Sequence, residues 1–104
     1  MGSIGISSIT LAELQYGIKK SNQPDKNEQA LIEFLLPLEI ADFDGTAAIE
    51  YGSIRADLEK KGTPIGPLDT LIAAHVKAME LTLVTNNEKE FIRIQGLKVE
   101  NWTK

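Results

Sequence analysis

The sequence predicts an α/β fold built on a small parallel sheet, and two observations carry that prediction. Short β-branched or apolar segments of strand length alternate with longer segments whose apolar residues recur at helical spacing. The stretch Leu81 to Val84, read as a continuous apolar run, has the character of a strand covered on both faces, as parallel strands are.

Ile4 to Ile9 is short, β-branched and bounded by Gly and Thr, which predicts the first strand. Thr10 is a good N-cap for a helix in which Leu11, Leu14 and Ile18 share a face. Gly17 weakens that helix, and Ser21 to Pro24 ends it. Pro24-Asp25 opens a second helix carrying Leu31, Phe34, Leu35 and Leu38, which Pro37 should close. Leu38 to Ala41 reads as a brief strand. Asp44 is the candidate N-cap of a longer helix that keeps Ala47, Tyr51, Ile54 and Leu58 in period.

Gly62 to Pro67 is a turn-rich connection. Leu68, Leu71, Ile72, His75, Val76 and Met79 mark the next helix, followed by the Leu81 to Val84 strand. A short helix around Glu88 to Ile94, then Gly96 and a strand near Leu97 to Glu100, complete the order. Met1-Gly2-Ser3 reads as either a natural start or an appended remnant. No repeat, low-complexity tract or linker interrupts the chain, so its 104 residues are expected to form one domain.

Composition excludes several classes. There is no stretch of about 18 apolar residues to cross a membrane, no secretory signal pattern, and no cysteine for a disulfide or thiolate metal site. A cytoplasmic protein is expected. A net charge of −4 argues against coating nucleic acid through a basic surface. It leaves room for an enzyme whose acidic cleft holds a cation that meets the phosphate.

The positions of the acids bear on that second possibility without deciding it. Ligands of open parallel sheets collect beyond the carboxyl ends of the strands. Glu13 is expected in the first turn after the first strand, Asp69 opens a helix after Gly66-Pro67, and Asn87 and Glu90 follow the Leu81 to Val84 strand. Three carboxylates and an amide make a hard oxygen set suited to Mg²⁺ or Mn²⁺ rather than zinc. Each also has a plain structural reading. Thr10 and Glu13 fit a capping box, Asp69 fits a helix dipole, and Glu90 and Asn86-Asn87 fit solvated loop or cap residues. His75, on an apolar helical face, reads as a packed core residue. Trp102 reads as a pin for the C-terminus, and Tyr16 and Tyr51 carry no functional signal.

The segments Thr10-Leu11-Ala12-Glu13-Leu14, Gly66-Pro67-Leu68-Asp69 and Val84-Thr85-Asn86-Asn87-Glu88-Lys89-Glu90-Phe91 stand in an order and spacing that resembles the PIN-domain ribonucleases of the VapC toxin type. Ile54-Arg55-Ala56-Asp57-Leu58-Glu59, Ile72-Ala73-Ala74-His75 and the ending Gly96-Leu97 to Asn101-Trp102 extend the likeness over nearly the whole chain. The resemblance implies a three-layer α/β/α fold and hydrolysis of RNA phosphodiesters with Mg²⁺ or Mn²⁺. It places Glu13, Asp69 and Glu90 at the active-site acids, with Asn87 as a polar neighbour and Thr85 supplying a hydrogen bond near the phosphate. Among the basic residues Lys19, Lys20, Lys26, Arg55, Lys60 and Lys61, Arg55 is the best candidate to meet RNA, because its segment leads into the Asp69 loop. The resemblance also implies a VapB-like antitoxin, lying across the helices through Tyr16 and Phe34.

The family pattern normally begins with a strand ending in Asp, and the sequence begins at what would be the second strand. The expectation is therefore an N-terminally truncated PIN-like domain with weakened metal binding. Its sheet would be repaired by pairing the first strand with Leu81 to Val84, or by a homodimer or strand-exchanged oligomer. An inactive remnant that binds an antitoxin or a second copy is the alternative to a working nuclease. A metal-independent α/β interaction domain is a third.

Overall fold

The computed structural model describes residues 5–85 and 87–101. The expectations for Met1-Gly2-Ser3, Ile4, Asn86 and Trp102 lie outside the described residues. Two compact units, Met1–Asp42 and Phe43–Lys104, are taken in turn.

In the first unit the order is β1 (Gly5–Ser7), α1 (Ser8–Lys20), α2 (Pro24–Leu35) and β2 (Glu39–Ala41). Strands β1 and β2 pair in parallel, with Gly5, Ile6 and Ser7 opposite Glu39, Ile40 and Ala41. A Cβ at Gly5 would stand 3.1 Å from the Glu39 carbonyl oxygen, so this close approach favours glycine. The helix begins earlier than expected. Ser7, not Thr10, is the N-cap, its Oγ accepting the Ile9 N–H at 3.1 Å. The Thr10–Glu13 capping box is therefore not what starts the helix, and Glu13 stands beyond its first turn.

Ser21 closes α1, donating both its N–H and its hydroxyl to the Ile18 carbonyl. Pro24 then opens α2, where its missing N–H costs nothing and Asp25 meets the helix dipole. Gln15 and Lys19 of α1 both reach Glu28 of α2, at 3.1 and 3.7 Å. Leu31 is buried, whereas Leu14, Tyr16, Ile32, Phe34 and Leu36 are exposed.

In the second unit the order is α3 (Gly45–Lys60), α4 (Pro67–Ala78), β3 (Thr82–Val84), α5 (Glu88–Phe91) and β4 (Lys98–Glu100). Asp44 caps α3 as expected, accepting the Ala47 N–H at 3.0 Å. Gly62, at a φ of +70°, allows the chain to turn out of α3, a conformation that side chains with a Cβ resist. Pro67 opens α4. Ala73 and Ala74 are wholly buried and, being small, let α4 lie close to its neighbours. They join Ile54, Leu58, Phe91 and Ile94 in one core. His75 is buried beside them, its ring edge-on to Phe43 at 5.5 Å, the packed role its apolar face predicts.

Strands β3 and β4 pair in parallel, Leu83 opposite Val99. Two expectations are corrected here. The parallel pairing is divided between two two-stranded sheets: the partner of β1 is β2, and that of β3 is β4. Strand β3 is also not covered on both faces, since Leu81 and Val84 are exposed. Side chains alternate across a strand, so Leu83 turns to the core while Thr82 and Val84 turn the other way.

Replacing Ser7 by Ala should destabilise the fold by about 1 kcal/mol through loss of the cap. Thr10→Ala, lacking that cap role, should cost less. Leu58→Ala, at the centre of the second core, should cost about 2–5 kcal/mol. Urea denaturation followed by circular dichroism orders the three.

Candidate active site

The loop from Gly62 to Gly66 carries the chain from α3 to Pro67, the first residue of α4. Asp69 lies in the first turn of α4, half-buried. Its Oδ2 would stand 3.8 Å from a Cβ built on Gly66. Thr70, buried in the same turn, donates its hydroxyl to the Gly66 carbonyl at 2.8 Å. Gly66 is thereby fixed relative to the helix, and Asp69 is held above it.

The short helix α5 approaches this turn. Glu90 Oε1 accepts the Gly66 N–H at 3.3 Å, and its Oε2 accepts from Asn87 Nδ2 at 2.7 Å. The Glu90 carboxyl is also in hydrogen-bond contact with that of Asp69. Asp69, Glu90 and Asn87 therefore meet within the second unit. Arg93, one turn beyond Glu90, donates to the Pro64 carbonyl at 3.2 Å. Two side chains of one short segment thus grip both ends of the 64–66 loop. Sequence reasoning passed over Arg93; its spacing of three residues from Glu90 was the available signal.

Thr85 holds the other end of α5. Its Oγ1 accepts the Asn87 N–H at 3.0 Å, and its own N–H donates to the Glu100 carbonyl at 2.9 Å. Its bonds thus set where Asn87 starts. Arg55, exposed on α3, is engaged by its neighbours: Nε donates to Glu59 at 3.1 Å and Nη1 to the Tyr51 hydroxyl at 3.0 Å. Glu13 belongs to the first unit, exposed on α1. Among the other cations, Lys19 pairs with Glu28, Lys61 with Asp57, and Lys20 stands over the Tyr16 ring.

Burial tends to raise the Glu90 carboxyl. The Asn87 amide, the hydrogen bond with Asp69, the Gly66 N–H and the positive charge of Arg93 outweigh it and hold Glu90 below its ordinary value. Two carboxyls in contact cannot both carry full charge cheaply unless a proton or a cation lies between them. A divalent ion fits this arrangement. The donors are all oxygen, and Mg²⁺ is commonly bound by one or two carboxylates while keeping several waters. Among the described residues no three His, Asp or Glu side chains gather into a closed cage. The pair with its amide neighbour therefore suits Mg²⁺ or Mn²⁺ better than a metal that demands a full protein shell.

The model of the PIN-domain family matches residues 1–97. The chain belongs to the PIN-domain family. Relatives that it matches include VapC proteins. This PIN-domain chain is 53% identical over 102 residues to ribonuclease VapC2 of Rickettsia felis, covering 98% of the chain and 76% of that relative. It is 50% identical over 97 residues to the tRNA(fMet)-specific endonuclease VapC of Salmonella typhimurium, covering 93% and 74%. Among solved structures it resembles VapBC2 of Rickettsia felis bound to a DNA fragment from their promoter, with a TM-score of 0.94 and 53% identity over 96% of this chain and 75% of that one. VapBC-1 of nontypeable Haemophilus influenzae gives a TM-score of 0.94 at 32% identity, covering 98% and 76%. The PIN-like α/β fold expected from the sequence is thus the fold of known VapBC complexes.

The Glu90 shift fixes a sign. Its folded pKa is lowered, so the unfolded chain binds the proton more readily, and the contribution to stability is present above the unfolded value. It is lost as pH falls through the folded value. Glu90→Gln should therefore lower stability at neutral pH and match the parent chain well below the carboxylate range. Urea midpoints at a series of pH values test this.

Proposed function

We propose that this chain is a metal-dependent endoribonuclease of the VapC type, and that its two units act together as one PIN-like domain over residues 1–104. The contact between the Asp69 and Glu90 carboxyls carries the reading, because paired acids at a helix start are what a divalent ion needs. The named ribonuclease relatives support it, as does a family match that runs through both units.

Asp69 and Glu90 would hold Mg²⁺ or Mn²⁺; Glu13 is proposed as an active-site acid on the resemblance of its Thr10 to Leu14 segment. When bound, such an ion polarises a phosphate and lowers the pKa of a coordinated water. The chain's own residues do the rest. Asn87 orients the Glu90 carboxylate through its amide, and Thr85 fixes Asn87 through the backbone. The Gly66 N–H keeps Glu90 ionised and aimed at the same turn as Asp69. Arg55 stands on the neighbouring helix as the basic residue for RNA.

A second reading rests on the first unit. Leu14, Tyr16, Ile32, Phe34 and Leu36 are exposed apolar side chains on or just after α1 and α2, and exposed apolar patches mark interaction surfaces. The VapBC complexes among the structural relatives support a VapB-like antitoxin as the partner. A homodimer or strand-exchanged oligomer is the other assembly we propose, since short two-stranded sheets present edges open to pairing.

With Mn²⁺ or Mg²⁺ the purified chain should cleave single-stranded RNA, and chelation should stop it. Asp69→Asn should abolish cleavage, and Asn87→Ala should lower it about 10–100-fold. Metal at about 100 times its Kd should stabilise the fold by about 2.7 kcal/mol, and Asp69→Asn should remove the effect. An RNA cleavage assay beside thermal melts decides. Melting that ignores metal, with no cleavage, overturns the proposal.

A further inference from the structure

Beside the turn that carries Asp69 lies a cavity that sequence patterns do not reveal. It has a volume of about 150 Å³ and is walled by Tyr51 and Leu58 of α3, Pro64 and Ile65 of the loop, and Pro67 of α4. Thr70 also lines it, so residues on both sides of Asp69 in the first turn of α4 face this space. The loop that forms one wall is the loop gripped by Glu90 and Arg93. Cavity and acids therefore share a single backbone element.

The size of the cavity limits its occupant. Pockets for drug-sized ligands begin at about 300 Å³, so this space takes a single ring system rather than a whole nucleotide. Its charge limits the occupant further. Arg55 and Glu59 both line the cavity and pair with each other at 3.1 Å, so the local charge is balanced. A phosphate gains little from a guanidinium already neutralised. A flat heterocycle with donors and acceptors on its edge matches better. The aromatic wall of Tyr51 offers stacking, the Glu59 carboxylate offers an acceptor, and the remaining N–H groups of the Arg55 fork offer donors. Tyr51 accepts from Arg55 through its hydroxyl oxygen, which leaves the phenolic proton to donate.

We infer that the cavity formed by Tyr51, Arg55, Glu59, Ile65 and Pro67 is a base-binding subsite, which receives one unpaired nucleobase of the RNA next to the scissile phosphate. The inference rests on the ribonuclease reading and gives Arg55 the base edge rather than the phosphate as its contact. It also makes Tyr51 a specificity-determining residue. Stacking is indifferent to base identity, so discrimination among bases falls to the Arg55 and Glu59 pair.

The test uses the intact chain with Mn²⁺ and a short single-stranded RNA, together with versions of it that carry one abasic residue at each position flanking the cleaved bond. Tyr51→Leu, which keeps apolar bulk in the wall, should raise KM roughly tenfold, within the range that loss of one stacked base costs. The change should fall on KM more than on kcat. One abasic position should raise the parent KM by a similar factor and erase the difference between parent and variant. Arg55→Met, at an exposed side chain, should flatten the preference among bases at that same position. If Tyr51→Leu and every abasic substrate act independently, the subsite is overturned while an Asp69-dependent nuclease stands. If the chain cleaves nothing, amide NMR titration with the same RNAs decides the subsite alone. Shifts at Tyr51, Ile65 and Thr70 that vanish with one abasic position support it, and their absence overturns it.

Discussion

The Glu90 carboxylate is the point on which the second unit's chemistry depends. One oxygen takes the Gly66 N–H and the other takes the Asn87 amide, while the same group lies against Asp69. Gly66 ends the loop out of α3, Asp69 is in the first turn of α4, and Glu90 belongs to α5. A single acidic side chain thus ties three segments of the fold to one point. The amide donors, the hydrogen bond with Asp69 and the charge of Arg93 outweigh the cost of burial and hold the Glu90 carboxyl below its ordinary value. It stands as an anion beside a second acid, and oxygen donors of this kind suit a divalent cation.

The same loop gives the site its second property. Arg93 holds Pro64 from one side, and the Thr70 hydroxyl fixes Gly66 from the other. The loop's far surface becomes the wall of a small, charge-balanced cavity under Tyr51 and Arg55. Acidic and neutral compartments stand side by side, separated by a few residues of backbone. A polyanion with heterocyclic side groups has the same alternation of chemistry. Beneath both compartments the core of Ile54, Leu58, Ala73, Ala74, Phe91 and Ile94 joins α3, α4 and α5. Small alanines at its centre bring these helices close enough for the side chains above to meet.

Some of this was legible because it is local. Asp44 announced itself as a cap, Pro67 as a helix start, and Asp69 as an acid in a first turn, since each depends on neighbours within a few residues. His75 read as a core residue because its helical face was apolar. Thr10 misled because Ser7 competes for the same task three residues earlier, and the chain takes the earlier cap. The run Leu81 to Val84 misled because apolar letters do not reveal how much cover a strand receives. Tyr51 carried no functional signal and Arg93 only its spacing from Glu90, since their meaning lies in a cavity and a carbonyl that distant residues supply.

The sequence by itself determined the alternation of strands and helices, the family, and the identities of Asp69, Glu90 and Asn87 as the residues to watch. It could do so because periodicity, caps and motif spacing are properties of short stretches. Only the tertiary structure decided that the parallel pairing is divided between β1 with β2 and β3 with β4. It alone brought Glu90 onto Gly66 and Asp69, and it alone placed a small cavity beside them. Those facts depend on hydrogen bonds and packing between residues well separated in the chain, from the β3–β4 partners to the contacts of Glu90 with Gly66 and Arg93 with Pro64, and such partners are chosen by the folded chain as a whole.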